Sequence, residues 1–250
     1  MTELIDSILH TVRTVTGDRS GFVPLHEPEF VGNEGTYVAD CINTGWVSSV
    51  GAYVDRIEHD LAQFCGTKHA VAMVNGTAAL HISLLLAGVA PGDEVLMPTL
   101  TFIATANAAT YAGGVPHFVD SEANSLGVDP DRLSAHLEAI AERRDGACYN
   151  RVTGRRIAAL IVMHAFGHPA RIGPLSTLCD HWNIPLVEDA AESLGSFYKG
   201  THTGNFGLVA ALSFNGNKVM TTGGGGAILT NDSGLAKRAK HLSTTARVPD

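Results

Sequence analysis

From about residue 70 onward, short apolar runs rich in β-branched residues alternate with longer amphipathic stretches. This alternation predicts strands connected by helices around a mostly parallel sheet, and therefore an α/β fold. The predicted strands are HAVAMV (69–74), EVLMP (94–98), VPHFVD (115–120), AALIVMH (158–164), PLVEDA (185–190), LVAALSF (208–214) and GAILTN (226–231). The predicted helices begin near Thr77, Thr101, Pro130, Pro174 and Ser233, and residues 143–156 are expected to form a basic excursion or hairpin.

The first residues, MTELIDSILHTVRTV, place apolar side chains at helical spacing. They lack the apolar segment and small-residue cleavage site of a signal peptide, and no apolar run is long enough to cross a bilayer. We therefore expect a cytoplasmic protein without a membrane partner, with an N-terminal helix and arm at 1–30 and one large domain at 31–250.

Charge and cysteine content narrow the possible functions. The formal net charge is −8 and the 17 basic residues are scattered, which argues against a nucleic-acid partner. A substrate with phosphates would then be held by local donors such as helix N-termini. Four cysteines, far apart and without a CxxC pair, indicate reduced structural thiols: Cys41, Cys65, Cys148 and Cys179.

Two strand ends carry polar or glycine residues, at the edge where open α/β sheets bind ligands. Asn75-Gly76-Thr77 opens the helix AALHISLLLAG, whose first amides are able to bind a phosphate with help from the Thr77 hydroxyl. The second, Glu188-Asp189, ends an apolar strand, and a carboxylate buried there needs a positive partner. A protonated pyridine nitrogen is one such partner. Metal binding by Asp189 and Glu192 is the alternative, although no third ligand lies at suitable spacing.

A lone lysine, Lys218, lies between a strand end and four consecutive glycines. Glycines in that number favour a backbone that turns tightly beside a bound group, and a lysine there is able to form a Schiff base. A surface lysine on a flexible turn is the alternative. A phosphate loop of the GxxxxGK[ST] type does not fit, because Lys218 precedes the glycines and valine follows it. Nor does Asn75-Gly76-Thr77 have the spaced glycines of a Rossmann dehydrogenase.

Two further features lie at strand ends. Phe102 follows a strand and is able to stack on a flat ring, although a core role is also open. His164 and His168 have HxxxH spacing, but Gly167 and Pro169 favour a loop, so a structural or pocket-lining role is expected.

The order of these pieces resembles the DegT/DnrJ/EryC1/StrS sugar aminotransferases, which have the aspartate-aminotransferase fold of type I, and within them the LegC-like branch. The resemblance rests on FVPLHEPEFVGNE, NTGWVSSVGAYVDRIE, VNGTAALHISLLLAGV, PTLTFIATANA, CYN, TGRR, HAFGHP, VEDAAESLGSFYKG and SFNGNKVMTTGGGGAILT. It covers nearly the whole chain from about residue 21.

The resemblance implies a pyridoxal 5′-phosphate (PLP) cofactor and a role for each matching residue. Lys218 would be the Schiff-base lysine and proton shuttle, and Asp189 the partner of the pyridine nitrogen. Glu192 would lie beside the phenolic oxygen of the cofactor, and Phe102 would stack on the ring. The residues implied for the cofactor phosphate are Gly76, Thr77, Ala78 and Ser213.

The resemblance also implies substrates and an assembly. Glutamate would donate the amino group, the acceptor would be the 4-keto group of a UDP-linked 6-deoxy-N-acetylhexosamine, and the sites would form in a homodimer. An extended segment from Asn43 to Gly51 is expected near the active site. The residues expected to contact the substrate are Trp46, Val47, Ser48 and His164.

In one respect the chain departs from the family pattern. Members continue beyond a motif like HLSTTARVPD, with a GYNYR-type segment that contacts the cofactor phosphate in the partner subunit and with a small C-terminal domain. We therefore expect the small domain to be absent from this chain, which ends at Asp250. A catalytically inactive binding or interaction remnant of the same fold is the alternative function.

Overall fold

A seven-stranded sheet forms the centre of the larger of two structural units. The computed structural model describes residues 2–17, 22–24 and 26–246, and its units are Met1–Val31 and Gly32–Asp250. The helices are α1 (Thr2–Thr16), α2 (Glu34–Thr44), α3 (Ala52–Cys65), α4 (Gly76–Leu86), α5 (Ile103–Tyr111), α6 (Pro130–Ile140), α7 (Ile172–Trp182) and α8 (Ser233–Ser243). The strands are β1 (His69–Met73), β2 (Glu94–Pro98), β3 (Val115–Val119), β4 (Ala141–Arg144), β5 (Ala147–Asn150), β6 (Ile157–Met163), β7 (Leu186–Asp189), β8 (Phe197–Tyr198), β9 (Thr201–His202), β10 (Val209–Ser213) and β11 (Gly226–Thr230).

The strand order of the large sheet is β1-β11-β10-β7-β6-β2-β3. The strand β11 is antiparallel to both neighbours, and the other strands run parallel to one another. These are the seven strands predicted from the sequence, and the mostly parallel α/β fold is confirmed. Their near-continuous apolar sequences follow from burial on both faces of the sheet.

Helices cover both faces of the sheet. The helices α4, α5 and α8 pack on one face around Leu80, Leu84 and Ile161. On the other face, α6 and α7 pack around Leu133 and Leu160, and α3 packs over the β1, β10 and β11 strands. The sheet is thereby sandwiched by helices, as predicted.

The remaining elements extend the sequence predictions or correct them. Residues 141–150 form the antiparallel hairpin β4–β5, which begins two residues before the region 143–156 predicted as a basic excursion or hairpin and covers its first half. The predicted extended segment was wrong at its start, because Asn43 and Thr44 are the last residues of α2. The helix ends where Gly45 adopts a left-handed φ of 75°.

In the smaller unit, α1 has no buried residue. Among the described residues, none of the helices combines the length and hydrophobicity that crossing a bilayer requires. The outer limits of the predicted segments 1–30 and 31–250, residues 1 and 250, lie outside the described residues.

Candidate active site

A cleft of about 520 Å³ lies at the carboxyl ends of the β1, β6, β7 and β10 strands. Parallel strands bring their carboxyl ends to one edge, where side chains that are distant in sequence meet. The cleft is lined by eight of the residues predicted for the site: Gly76, Thr77, Phe102, His164, Asp189, Glu192, Ser213 and Lys218.

The remaining four predicted residues do not line this cleft in the described part of the chain. Ala78 lies in the first turn of α4, and its amide donates to the side chain of Asn75 over 2.7 Å. Trp46, Val47 and Ser48 lie between α2 and α3. Their roles stay predictions.

The turn before α4 packs directly against the end of β10. A Cβ atom on Gly76 would lie 2.7 Å from Cβ of Ser213, closer than real Cβ contacts come, so glycine is required at position 76. Thr77 lies next to it at the start of the helix. In the part of the chain that the structure describes, neither the amide nor the hydroxyl of Thr77 donates to a protein acceptor. Together with the Ser213 hydroxyl, these donors fit a phosphate group.

Lys218 is held between an acid and an aromatic ring. Its backbone amide donates to the Asn215 carbonyl in a turn after β10, over 3.0 Å. The Nζ atom donates to Oε1 of Glu192 at 2.9 Å and lies 5.8 Å from the centroid of the Phe102 ring. The amine therefore projects into the space between these two side chains, where the face of a flat ring and its polar substituents could be accommodated.

Asp189, the last residue of β7, is 3% exposed. Its Oδ2 atom accepts a hydrogen bond from Oγ1 of Thr105 at 2.7 Å, and its Oδ1 accepts from the Ala191 amide at 3.3 Å. Burial raises the pKa of the Asp189 carboxyl, and these hydrogen bonds and the charge of Lys218 offset the increase only in part. A buried carboxylate of this kind fits a protonated ring nitrogen, which would supply the missing positive charge.

The adjacent carboxylate, Glu188, is satisfied entirely by the protein. His164 Nε2 lies 3.0 Å from its Oε2 and donates to it, because the other ring nitrogen accepts from the Ala170 amide. Three backbone amides also donate to Glu188, those of Gly204, Phe206 and Gly207. Burial alone would raise the pKa of Glu188, but these hydrogen bonds outweigh it and hold the pKa below its usual value.

This network fixes the His164 ring in the wall of the cleft. Both ring nitrogens of His164 are hydrogen-bonded within the protein. The substrate contact predicted for His164 stays a prediction. Within residues 2–17, 22–24 and 26–246, the His, Cys, Asp and Glu side chains form no group of three able to hold a metal ion.

Two residues of this region were missed by sequence reasoning. Thr105 lies one helical turn beyond Phe102, so its spacing could have placed it on the cleft side of α5. Phe166, within the HAFGHP motif, lines the cleft and is 74% exposed. An aromatic residue in the predicted loop directly after a strand was the available signal.

We predict that replacing Thr105 with valine raises the pKa of the Asp189 carboxyl further, because the carboxylate loses its closest donor in a buried site. Serine at this position should keep the pKa near its original value. The measurement is a carboxyl-¹³C NMR titration of the ligand-free protein. Thr110→Val on the same helix is the control, because the Thr110 hydroxyl donates to the Asn107 carbonyl and, among the described residues, not to Asp189. Equal titration curves for Thr105→Val and the unaltered protein would contradict the prediction.

A family model and a curated relative both match this chain over most of its length. Residues 29–249 match the model of the DegT/DnrJ/EryC1/StrS aminotransferase family. The chain is 40% identical over 220 residues to GDP-perosamine synthase of Caulobacter vibrioides, covering 88% of this chain and 55% of the relative.

Solved structures show the same fold. DesV of S. venezuelae superposes with a TM-score of 0.76 at 30% identity, over 87% of this chain and 54% of DesV. The Streptococcus pneumoniae protein Spr1654, solved in a PLP form, gives a TM-score of 0.75 at 26% identity, over 88% of this chain and 57% of that protein. The chain spans about half the length of the relatives it matches. Because the family model covers nearly all of its large unit, this chain belongs to the DegT/DnrJ/EryC1/StrS aminotransferase family.

Proposed function

We propose that this chain carries the active-site domain of a PLP-dependent aminotransferase, which moves an amino group from glutamate to the keto group of a nucleotide-linked sugar. The observation that carries the proposal is the arrangement of Lys218 and Asp189. The Lys218 amine and the buried Asp189 carboxylate line the same cleft, and nearby charges offset the burial of that carboxylate only in part. The N-terminus of α4, with the Thr77 amide and hydroxyl described above, lines the cleft as well.

Each side chain has a distinct task in this proposal. The Thr77 amide and hydroxyl, with the Ser213 hydroxyl, hold the phosphate of the cofactor, and Phe102 covers one face of its ring. Asp189 keeps a proton on the pyridine nitrogen. The cofactor, when bound, supplies an electron sink for the carbon that loses or gains a proton. Lys218, whose amine projects into the cleft, would take up and return that proton in each half of the reaction.

For the acceptor we propose the 4-keto group of a UDP-linked 6-deoxy-N-acetylhexosamine. Support for UDP comes from the motifs that resemble the LegC-like branch, among them NTGWVSSVG and HAFGHP. The Caulobacter relative is named for a GDP-linked sugar, which makes GDP the competing nucleotide. A homodimer and a cytoplasmic location belong to the same proposal.

The test has two steps that separate cofactor chemistry from sugar recognition. The purified protein is first mixed with PLP and glutamate, and we expect it to turn yellow and then to lose that absorption as the amino group is transferred. Next, UDP-linked and GDP-linked 4-keto-6-deoxy sugars are added in parallel, and mass spectrometry measures the amino sugar. We expect faster amination of the UDP-linked N-acetyl sugar. Faster amination of the GDP-linked sugar would show that the acceptor carries GDP and not UDP. A protein that binds no PLP would support the alternative function, an inactive remnant of the fold.

A further inference from the structure

The turn that follows β6 holds an aromatic side chain in a strained backbone conformation at the cleft. Phe166 has φ 52° and ψ 27°, in the left-handed region that bulky side chains rarely occupy. The residue is 74% exposed, so packing against the protein does not compensate for this strain. Strain of this kind persists where the surrounding structure forces it, and such positions cluster at binding sites.

Hydrogen bonds on both sides hold the turn in place. The Gly167 amide donates to the His164 carbonyl at 3.1 Å, and the His168 amide donates to the Ala165 carbonyl at 2.9 Å. The Gly167 carbonyl accepts from Oγ of Ser196 at 2.7 Å. His164 is itself fixed by Glu188, as described above. The turn therefore has little freedom to relax and withdraw the ring.

The same turn lies directly against the reacting end of the cleft. A Cβ atom on Gly167 would lie 2.9 Å from the backbone carbonyl oxygen of Glu192, so the two segments are in close contact. The Glu192 side chain in turn accepts from Lys218. The residue that follows Phe166 thus contacts Glu192, the partner of the amine that the proposed function requires, and Phe166 lines the same cleft.

We propose that the Phe166 ring binds the apolar face of the sugar acceptor, and that it contributes to recognition of the sugar and not of the amino donor. This inference rests on the proposed function. A phenyl ring offers apolar contact area and no charge, which suits the C–H face and the 6-methyl group of a deoxyhexose. Glutamate carries two carboxylates, for which an uncharged apolar ring offers no favourable contact.

The experiment uses Phe166→Asn, because asparagine adopts the left-handed conformation more readily than phenylalanine does. We expect the melting temperature to stay the same or rise by about 2–4 °C, since backbone strain is relieved and little packing is lost. The dissociation constant of a UDP-linked 6-deoxyhexose, measured by calorimetry, should increase roughly 10- to 100-fold. The rate at which glutamate converts the PLP form should change less than about twofold.

Leu126→Asn is the matched control. Leu126 also has a left-handed backbone, with φ 60°, but it lies outside the cleft lining. This substitution should also relieve strain, and it should leave sugar binding unchanged. Sedimentation of every variant tests whether Phe166 instead packs against a second copy of the chain.

The outcomes separate this inference from the function on which it rests. Unchanged sugar binding in Phe166→Asn, with normal conversion by glutamate, overturns the role of Phe166 alone. Equal losses in both half-reactions, or a change of oligomeric state, also overturn it, because a sugar contact would affect neither the donor nor the assembly. If the unaltered protein is converted by glutamate but binds no nucleotide sugar, both proposals for the acceptor fail. A protein that binds no PLP overturns the proposed function first.

Discussion

Replacing Lys218 with alanine is expected to abolish covalent capture of the cofactor and to lower amino transfer by at least about 10³-fold. The amine of Lys218 contacts Glu192 and lies over the Phe102 ring, and the side chain is 12% exposed. Among the described residues that line the cleft there is no second lysine to substitute for it. Arginine at this position would keep a positive charge beside Glu192 but would not act as a nucleophile. Lys218→Arg should therefore lose as much activity as Lys218→Ala.

Borohydride reduction followed by peptide mass spectrometry measures the covalent attachment. In the unaltered protein the cofactor should be fixed on the peptide that contains Lys218. Lys237→Ala on the exposed side of α8 is the control and should leave both attachment and turnover unchanged. Fixation of the cofactor on another peptide in Lys218→Ala would refute the assignment.

The sheet was predictable because its strands are buried on both faces. Such strands give continuous apolar runs, and all seven were located from them. The helix α3 was missed although its signal was present. Val54, Ile57, Leu61 and Cys65 recur at helical spacing between Gly51 and Gly66, which flank the helix. No strand precedes α3, so the alternation of strands and helices that marks the later helices is missing around it in the described chain.

Eight residues of the cleft lining were predictable, but most contacts between them were not. Strand-end residues such as Asp189 and Ser213 are marked by a change from apolar to polar sequence, and parallel topology brings them together. Their partners depend on tertiary geometry. Thr105 meets Asp189 across 84 positions, and His164 meets Glu188 across 24. Sequence spacing alone contains no information on such pairs, so it could not show which carboxylate of Glu188-Asp189 has its charge satisfied by the protein.

Replacing Asp189 with asparagine is expected to separate activity from stability. Loss of the buried acid should lower kcat/KM roughly 10²- to 10⁴-fold, because breaking a buried ion pair costs about 3–5 kcal/mol. In the ligand-free protein the same change should leave the free energy of unfolding at neutral pH equal or higher. The reason is that Asp189 is 3% exposed and lacks a full counter-charge there.

The pKa of Asp189 determines how the stability difference between Asp189→Asn and the unaltered protein changes with pH. Burial raises the pKa of Asp189 in the folded protein, so its contribution to stability is fully present below the pKa of the unfolded chain and is lost as pH rises through the folded pKa. Asp189→Asn should therefore gain stability relative to the unaltered protein as pH rises, and the difference should vanish in acid. Denaturant titrations of the ligand-free proteins across this range measure it.

Glu188→Gln is the matched comparison, one residue away on the same strand, and we expect the opposite behaviour. Glu188 accepts from His164 and three backbone amides, and these hold its pKa low, so its contribution is present at neutral pH and is lost as pH falls. A glutamine would turn an NH₂ group toward those donors and should lower the free energy of unfolding by about 1–3 kcal/mol. If Asp189→Asn destabilised the ligand-free protein as much as Glu188→Gln, the charge of Asp189 would already be satisfied without a cofactor, and its assignment to the ring nitrogen would lose its physical basis.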